Sequence, residues 1–503
     1  MFAAVSSATL LGAQGHRVTV EVHVGSGLPG FSIVGQPDDI CREARDRVRA
    51  AIMSSEYSWP AARVTVNLAP SGHRKGGGGL DLAIAVGLLI AAEQLPPGDV
   101  EQFGFLGELG LDGSLRSVAG TVPLVAALGD VRPVVAASSH REAVLVSTRS
   151  VVVGRTLRDV VEALRGDSPW PTPPPDEAVA EPPALPDLAD VRGQALARQA
   201  LEVAAAGGHH SLFVGPPGSG KTMLAQRLPG VLPELTPQQS LTATMIHSAA
   251  GVALPAGGLI RRAPYRSPHH TISQVGMVGG GTASLRPGEI SLAHSGALFL
   301  DELGEFTQTV LDSLRQPLEE GEVRVARARA SVSLPCKFLL VAATNPCPCG
   351  GGPPGACHCD EGARNKYLRR LSGPLLDRLD LRVPVHRPDI DELMIGEPGE
   401  PSAVVARRVA TAREISFARN GCLNSEISTS MLDGCAPLTV EARKVLRMEL
   451  ERYRLTARGY HRVRRVARTL ADLDPVQSEV ITAHHVVMAL QLRIQVIAEG
   501  RAA

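Results

Sequence analysis

The run Gly215-Pro216-Pro217-Gly218-Ser219-Gly220-Lys221-Thr222 constrains this chain more than any other stretch. It follows a short apolar segment, Ser211–Val214, and leads into Met223-Leu224-Ala225, which reads as the opening of a helix. A strand that ends in a glycine-rich loop and reopens as a helix can wrap its backbone N–H groups around phosphate oxygens. Gly218 and Gly220 permit the close approach, and the helix start adds its positive end to the same place. In such a loop Lys221 reaches the β- and γ-phosphates of a nucleotide, and the Thr222 hydroxyl ligates Mg2+. The pattern predicts an α/β domain that binds Mg·ATP.

A phosphate loop of this kind needs acidic partners for the metal and for water. Gly296-Ala-Leu-Phe-Leu-Asp301-Glu302 supplies them: a buried-strand pattern that ends in two carboxylates. Asp301 is expected to hold Mg2+ and Glu302 to orient or deprotonate the attacking water, so hydrolysis is expected rather than binding alone. A third strand pattern, Phe338–Thr344, ends in Asn345, whose amide can contact the γ-phosphate or position the water.

The 503 residues exceed a single core, so two or three domains are expected. A hydrophobic fraction of 44% with 20% charge suits a globular protein, and the formal net charge of zero leaves any basic surface local. Only five of the basic residues are Lys: 75, 221, 337, 366 and 444. The opening Met1–Ala13 lacks the basic start and cleavage pattern of a signal peptide, and no apolar run is long enough for a membrane helix. Four of the eight cysteines crowd into Cys347–Cys359, which fits a reducing compartment; a cytoplasmic location is expected. The stretch Asp167–Pro186 holds eight prolines and reads as a semi-rigid linker. The expected division is an α+β domain over 1–166, the linker 167–187, an α/β nucleotide domain over 188–390 and a helical tail over 391–503. Within the first of these, Val18–Val24 and Val64–Leu68 read as strands, and Asp39–Ser54 and Leu82–Ala92 as helices.

The chain resembles the ComM/YifB family of magnesium-chelatase-like AAA+ proteins over nearly its whole length. The resemblance rests on Gly27-Leu-Pro-Gly-Phe31 with Val34-Gly35, Asn67-Leu-Ala-Pro70, Gly107-Glu-Leu109, Arg266-Ser-Pro-His-His270, Arg286–His294, Asn345-Pro-Cys-Pro-Cys-Gly350 and Ser372–Arg378. It implies a central AAA+ domain with a helical lid, and Asn345 as the first sensor residue. It also implies that Arg378, in Leu376-Asp-Arg-Leu-Asp380, is an arginine finger acting on a neighbouring subunit's ATP. The second sensor falls among Arg458, Arg462 and Arg465, with Arg458 favoured, and Asp190–Gln194 matches a box near the adenine. The family's competence members are described as hexameric helicases that promote branch migration during recombination, which implies a homohexamer and a single-stranded or branched DNA partner.

The tail segment Arg443–Arg468 carries ten basic and two acidic residues, but it overlaps the second-sensor helix. A better DNA candidate is Glu322–Ser333, similar to the pre-sensor hairpin of MCM-like relatives, where Arg327 and Arg329 would contact phosphates without reading sequence. The insert from about His247 to Leu292 is a second channel-facing candidate; its adjacent His269 and His270 fall short of a metal ligand set. Cys347, Cys349, Cys357 and Cys359, spaced C-x-C-x7-C-x-C, fit a structural Zn2+ site, free buried thiols or a redox role.

In the family the amino-terminal domain resembles the Lon protease fold, which is like ribosomal protein S5 domain 2. Lon-type proteolysis needs a serine activated by a lysine. Gly76-Gly-Gly-Gly-Leu-Asp81-Leu82 has no serine where the motif would have one, and Lys75 is the domain's only lysine, so a non-proteolytic scaffold is expected. Two readings of function remain: an ATP-driven DNA motor, or a chelatase-type ATPase that remodels a protein partner without DNA.

Overall fold

The computed structural model describes residues 1–494 except 73–74, 176–183, 257, 282–284, 328–329, 352–356, 372, 388–389 and 453. Strict alternation governs the amino-terminal part. Val18, Val20 and Val22 lie on one face of strand Gln14–Gly25 and are fully buried. Antiparallel pairing sets Val20 opposite Leu68 and Val22 opposite Val66 on strand Arg63–Ala69, so both strands commit the same face to the core. These strands belong to a seven-stranded mixed sheet that also contains Phe2–Leu11, Gly30–Val34, Phe103–Phe105, Arg132–Ala136 and Val152–Gly154. Helix Asp39–Ser54 starts at Asp38, whose carboxylate accepts the N–H of Cys41, and buries Cys41, Ala44, Val48, Ala51 and Ile52 along one stripe. Helix Asp81–Ala91, apolar almost all round, sits between that helix and the sheet.

The second large sheet, which includes strand Ser211–Val214, is parallel throughout. The order across the five-stranded sheet is Tyr265–Arg266, Ala297–Leu300, Leu339–Thr344, Ser211–Val214 and Leu381–Pro384. Apolar residues run without a polar break along Ala297–Leu300 and 339–343, where both faces are covered. Phe213, Phe299, Val341, Ala343 and Val383 face one cluster, and Leu212, Leu298, Leu300, Leu340 and Ala342 face another. The first cluster includes helix Ala195–Gly207 and continues into the carboxy-terminal helices Ser402–Asn420, Val440–Glu451, Ala457–Leu473 and Ala483–Gln491. One apolar core therefore joins the sheet to the helical tail. Among the described residues no strand follows Leu381–Pro384.

Two contacts tie the amino-terminal part to the parallel sheet's surroundings. The Ser248 hydroxyl donates to Glu142 and accepts the N–H of Val122, while the Ser248 carbonyl accepts from Gly120. Elsewhere, the turn at Gly12 rests on the hairpin Glu322–Arg327/Ala330–Pro335. A β-carbon at Gly12 would fall 2.5 Å from Val332 Cγ1.

Candidate active site

The phosphate-binding loop leaves strand Ser211–Val214 at Gly215, and helix Lys221–Gln226 begins where it closes. Gly218 and Gly220 hold φ of +75° and +87°, the left-handed region that a side chain disfavours; beside Gly218 the space is open. Gln194, from the box Asp190–Gln194, donates to the Ser219 carbonyl at 3.2 Å, and Arg387 donates to Pro217. The Ser219 hydroxyl is buried and makes no hydrogen bond among the described residues. The Lys221 ammonium donates to the carbonyls of Gly215 at 2.7 Å and Pro216 at 2.9 Å and to Asn345 Oδ1 at 3.3 Å. Burial lowers its pKa, against the pull of Asp301 and Glu302.

The carboxylate strand, Ala297–Leu300, is not the sheet neighbour of the loop strand; the sensor strand Leu339–Thr344 runs between them. The gap is bridged by side chains. Thr222 donates its hydroxyl to Asp301 Oδ2 at 2.6 Å, which gathers the two expected Mg2+ ligands at one point. Glu302 follows at φ +51°, a strained backbone for a residue with a side chain, and its N–H is held by Asp301 Oδ1 at 2.9 Å. Its carboxylate lies 3.5 Å from His270 Nδ1, and His270 packs at a tilt against His269 with ring centres 4.1 Å apart. This contact was missed from sequence: the His pair stood out only as a weak metal candidate, and its pairing with Glu302 spans 32 residues. Arg266 and Glu289 form a two-pronged ion pair at 2.6 and 2.7 Å, joining two of the motifs that carried the resemblance.

The predicted arginines cluster at the other end of the sheet. Strand Leu381–Pro384 pairs in parallel with Ser211–Val214, Leu381 opposite Ser211 and Pro384 opposite Val214. Arg378 precedes that strand, whereas the phosphate loop follows its partner, so about 13 Å of strand lies between them at about 3.3 Å per residue. Arg378 pairs with Glu319. Arg458 is exposed, with Asp377 at 3.8 Å. Arg462 donates to buried Asp380 and to the Arg378 carbonyl, and Arg465 donates to the Ile427 carbonyl at 2.8 Å. Asp380 also accepts from His209, at 3.0 Å. Burial works to raise the Asp380 pKa, but the hydrogen bond and charge of His209 and the Arg462 guanidinium overcome it and hold the carboxyl below the usual range. A cavity of 820 Å3 opens at this end, lined by Arg378, Arg462, Arg465 and Lys337 among others.

The four cysteines converge. Their sulfurs all lie within 4.8 Å of one another, and among the described residues they form the only such group of metal-binding side chains. All four are free thiols. The N–H of Gly351, with the Cys359 thiol, brings the Cys349 pKa down to about 6. Of the DNA candidates, Arg329 lies outside the described residues and Arg327 is described only as the end of strand Glu322–Arg327, opposite Ala330. Val323 and Val325 on that strand are buried. In the amino-terminal domain Lys75 is buried and donates to the Pro70 carbonyl, while Ser71 is exposed. Among the described residues no helix is long and apolar enough to cross a membrane.

Residues 187–393 match the family model for magnesium chelatase, subunit ChlI; residues 20–137 match that for subunit ChlI of Mg-chelatase, and 399–493 its carboxy-terminal counterpart. Competence protein ComM of Haemophilus influenzae is 42% identical over 98% of both chains. The Escherichia coli protein YifB is 42% identical over 97% of this chain and 96% of its own. Protein Rv2897c of Mycobacterium tuberculosis is 45% identical over 93% and 94%. With such similarity along nearly its whole length, the chain belongs to the ComM-like branch of the magnesium-chelatase family, whose members are AAA+ ATPases.

Proposed function

We propose that the chain hydrolyses Mg·ATP as a homohexameric ring and uses the energy to move along single-stranded or branched DNA. The observation that carries the hydrolytic part is the 2.6 Å bond from Thr222 to Asp301, with Glu302 next in sequence and Lys221 reaching Asn345. The residues present suit Mg·ATP. The loop offers an open face at Gly218, a buried Ser219 hydroxyl with no partner among the described residues and one ammonium. Bound Mg2+ would neutralise charge on the phosphates, held by Thr222 and Asp301. Lys221 and the loop amides grip the triphosphate, Glu302 takes the proton of the attacking water, and Asn345 orients that water.

A ring is favoured by the placement of Arg378, a strand's length from its own phosphate loop, with exposed Arg458 beside Asp377. Both act in this reading on nucleotide held by a neighbouring copy, Arg378 as the finger and Arg458 as the second sensor, while Arg462 and Arg465 are internal tethers. An arginine supplied in trans ties turnover to assembly. Residues 1–166 form a Lon-like, non-proteolytic scaffold, 188–390 the AAA+ core after the linker 167–187, and 391–503 the lid. Arg327 and Arg329 line the channel and touch DNA phosphates, the four cysteines hold a structural Zn2+, and the protein works in the cytoplasm.

ATP turnover measured with forked, single-stranded and duplex DNA tests this. Lys221→Ala should abolish nucleotide binding. Glu302→Gln should keep binding and lose about 10²–10⁴-fold in rate. If no DNA binds or stimulates turnover, the motor reading fails and the ATPase reading stands. The chelatase-subunit family models favour a second reading, a partner-remodelling ATPase indifferent to DNA.

A further inference from the structure

Asn345-Pro346-Cys347 leads directly from the sensor strand into the cysteine loop. Sulfur–sulfur separations there are 3.4 Å for Cys347–Cys349, 3.5 Å for Cys349–Cys357 and 3.3 Å for Cys357–Cys347. A disulfide would need about 2.05 Å. Four thiolates around zinc at about 2.3 Å sit about 3.8 Å apart, inside the range that these sulfurs span. The N–H groups of Gly351 and Cys359 point at the sulfurs of Cys349 and Cys357, both at 3.4 Å, as donors to a thiolate cage do.

The loop also leans on the phosphate loop. Gly350 adopts φ +70° and donates its N–H to the Cys347 carbonyl at 3.0 Å. A β-carbon placed on it would fall 2.5 Å from Pro217 Cδ and 2.6 Å from Cγ. Two links thus cross from the cysteine loop to the nucleotide loop: Gly350 against Pro217, and Asn345 to the Lys221 ammonium. The described flanks Cys347–Gly351 and Cys357–Cys359 carry little apolar side chain, so a metal bound by the four sulfurs would add to their ordering.

The geometry points to a Zn2+ clamp: metal held by Cys347, Cys349, Cys357 and Cys359 fixes Gly350 against Pro217 and Asn345 beside Lys221, and so sets the nucleotide affinity. This rests on the reading of Gly215–Thr222 as the ATP site. Tetrahedral sulfur also suits iron, and the spectrum separates the two.

The test uses the full chain, purified under reducing conditions. Elemental analysis should find about one zinc per chain, and thiol titration should find no disulfide in this loop. Removing the metal with a chelator should weaken binding of a fluorescent ATP analogue on the order of tenfold, and Zn2+ alone should restore it. Gly350→Val should keep its zinc yet bind the analogue more weakly, with Gly350→Ala intermediate; circular dichroism reports whether each is folded. If Gly350→Val does not fold, Gly350→Ala and the reversible chelation decide. A chain with iron, with no metal, or with disulfides overturns the zinc site. A zinc-containing chain whose nucleotide affinity ignores both chelation and Gly350→Ala overturns the clamp. Should Lys221→Ala bind the analogue as well as the unaltered chain does, the ATP-site reading itself fails, whatever the zinc content.

Discussion

Replacing Arg462 by alanine removes the guanidinium that joins helix Ala457–Leu473 to the segment before strand Leu381–Pro384. Asp380, 5% exposed, would keep His209 but lose its second partner, and the Arg378 carbonyl would lose a donor at 3.2 Å. A hydrogen bond to a charged group contributes about 1.5–3 kcal/mol, and breaking a buried pair outright costs about 3–5. With His209 still in place the lower figures apply, so we expect a loss of about 3 kcal/mol. For a cooperative unit of roughly 300 residues, with an unfolding entropy of about 2.1 cal/mol/K per residue, that lowers the melting temperature by about 5 °C. Scanning calorimetry would read it, and a double-mutant cycle with Asp380→Asn should return a coupling of about 2 kcal/mol. Nucleotide affinity of the folded variant should stay within about twofold, because Arg462 lies a strand's length from the phosphate loop. The competing role, second sensor, makes the opposite forecast: turnover falls while melting is unchanged. A variant that melts within about 1 °C of the parent and shows no coupling with Asp380 would refute the tether.

Burial lowers the His210 pKa to about 4, and its Nδ1 accepts the N–H of Leu340 at 3.0 Å. The unfolded chain takes up that proton near pH 6.5 and the folded one only near 4. The His210 contribution is therefore intact above pH 6.5 and falls away as pH drops through that window, by at most about 3 kcal/mol, because the half-buried ring also borders the cavity. Urea titrations at pH 7 and pH 4.5 should show the loss, and His210→Asn should flatten it. Ser248→Ala removes the hydroxyl shared by Glu142 and Val122, which should cost about 1–2 kcal/mol and raise hydrogen exchange at Gly120–Val122 while turnover persists. Leu298→Ala, in the middle of the sheet and fully buried, should cost about 2–5 kcal/mol in urea unfolding.

Local signals made much of this legible. The loop glycines, the two carboxylates after an apolar run, and the alternation of Val18, Val20 and Val22 each express a short-range rule of backbone geometry. Helix Asp81–Ala91 falls one residue earlier than its apolar run suggests, as boundaries do when Asp can open a helix. The arginines were different. Arg458, Arg462 and Arg465 share one helix and one composition, and only a partner 82 residues away distinguishes Arg462. The same distance problem hid His270 beside Glu302 and Glu289 beside Arg266. Cysteine spacing suggested a metal, but the contact of Gly350 with Pro217 needed the fold, since glycine advertises no partner.

The seat of Gly12 on Val332 and Leu334 gears the front of the molecule to its arginine-bearing hairpin. No filler lies between them, and the neighbouring Ala13 is enclosed in the same cluster. Displacing the hairpin would have to carry the turn along or open a void under it, so the two elements are coupled through this contact.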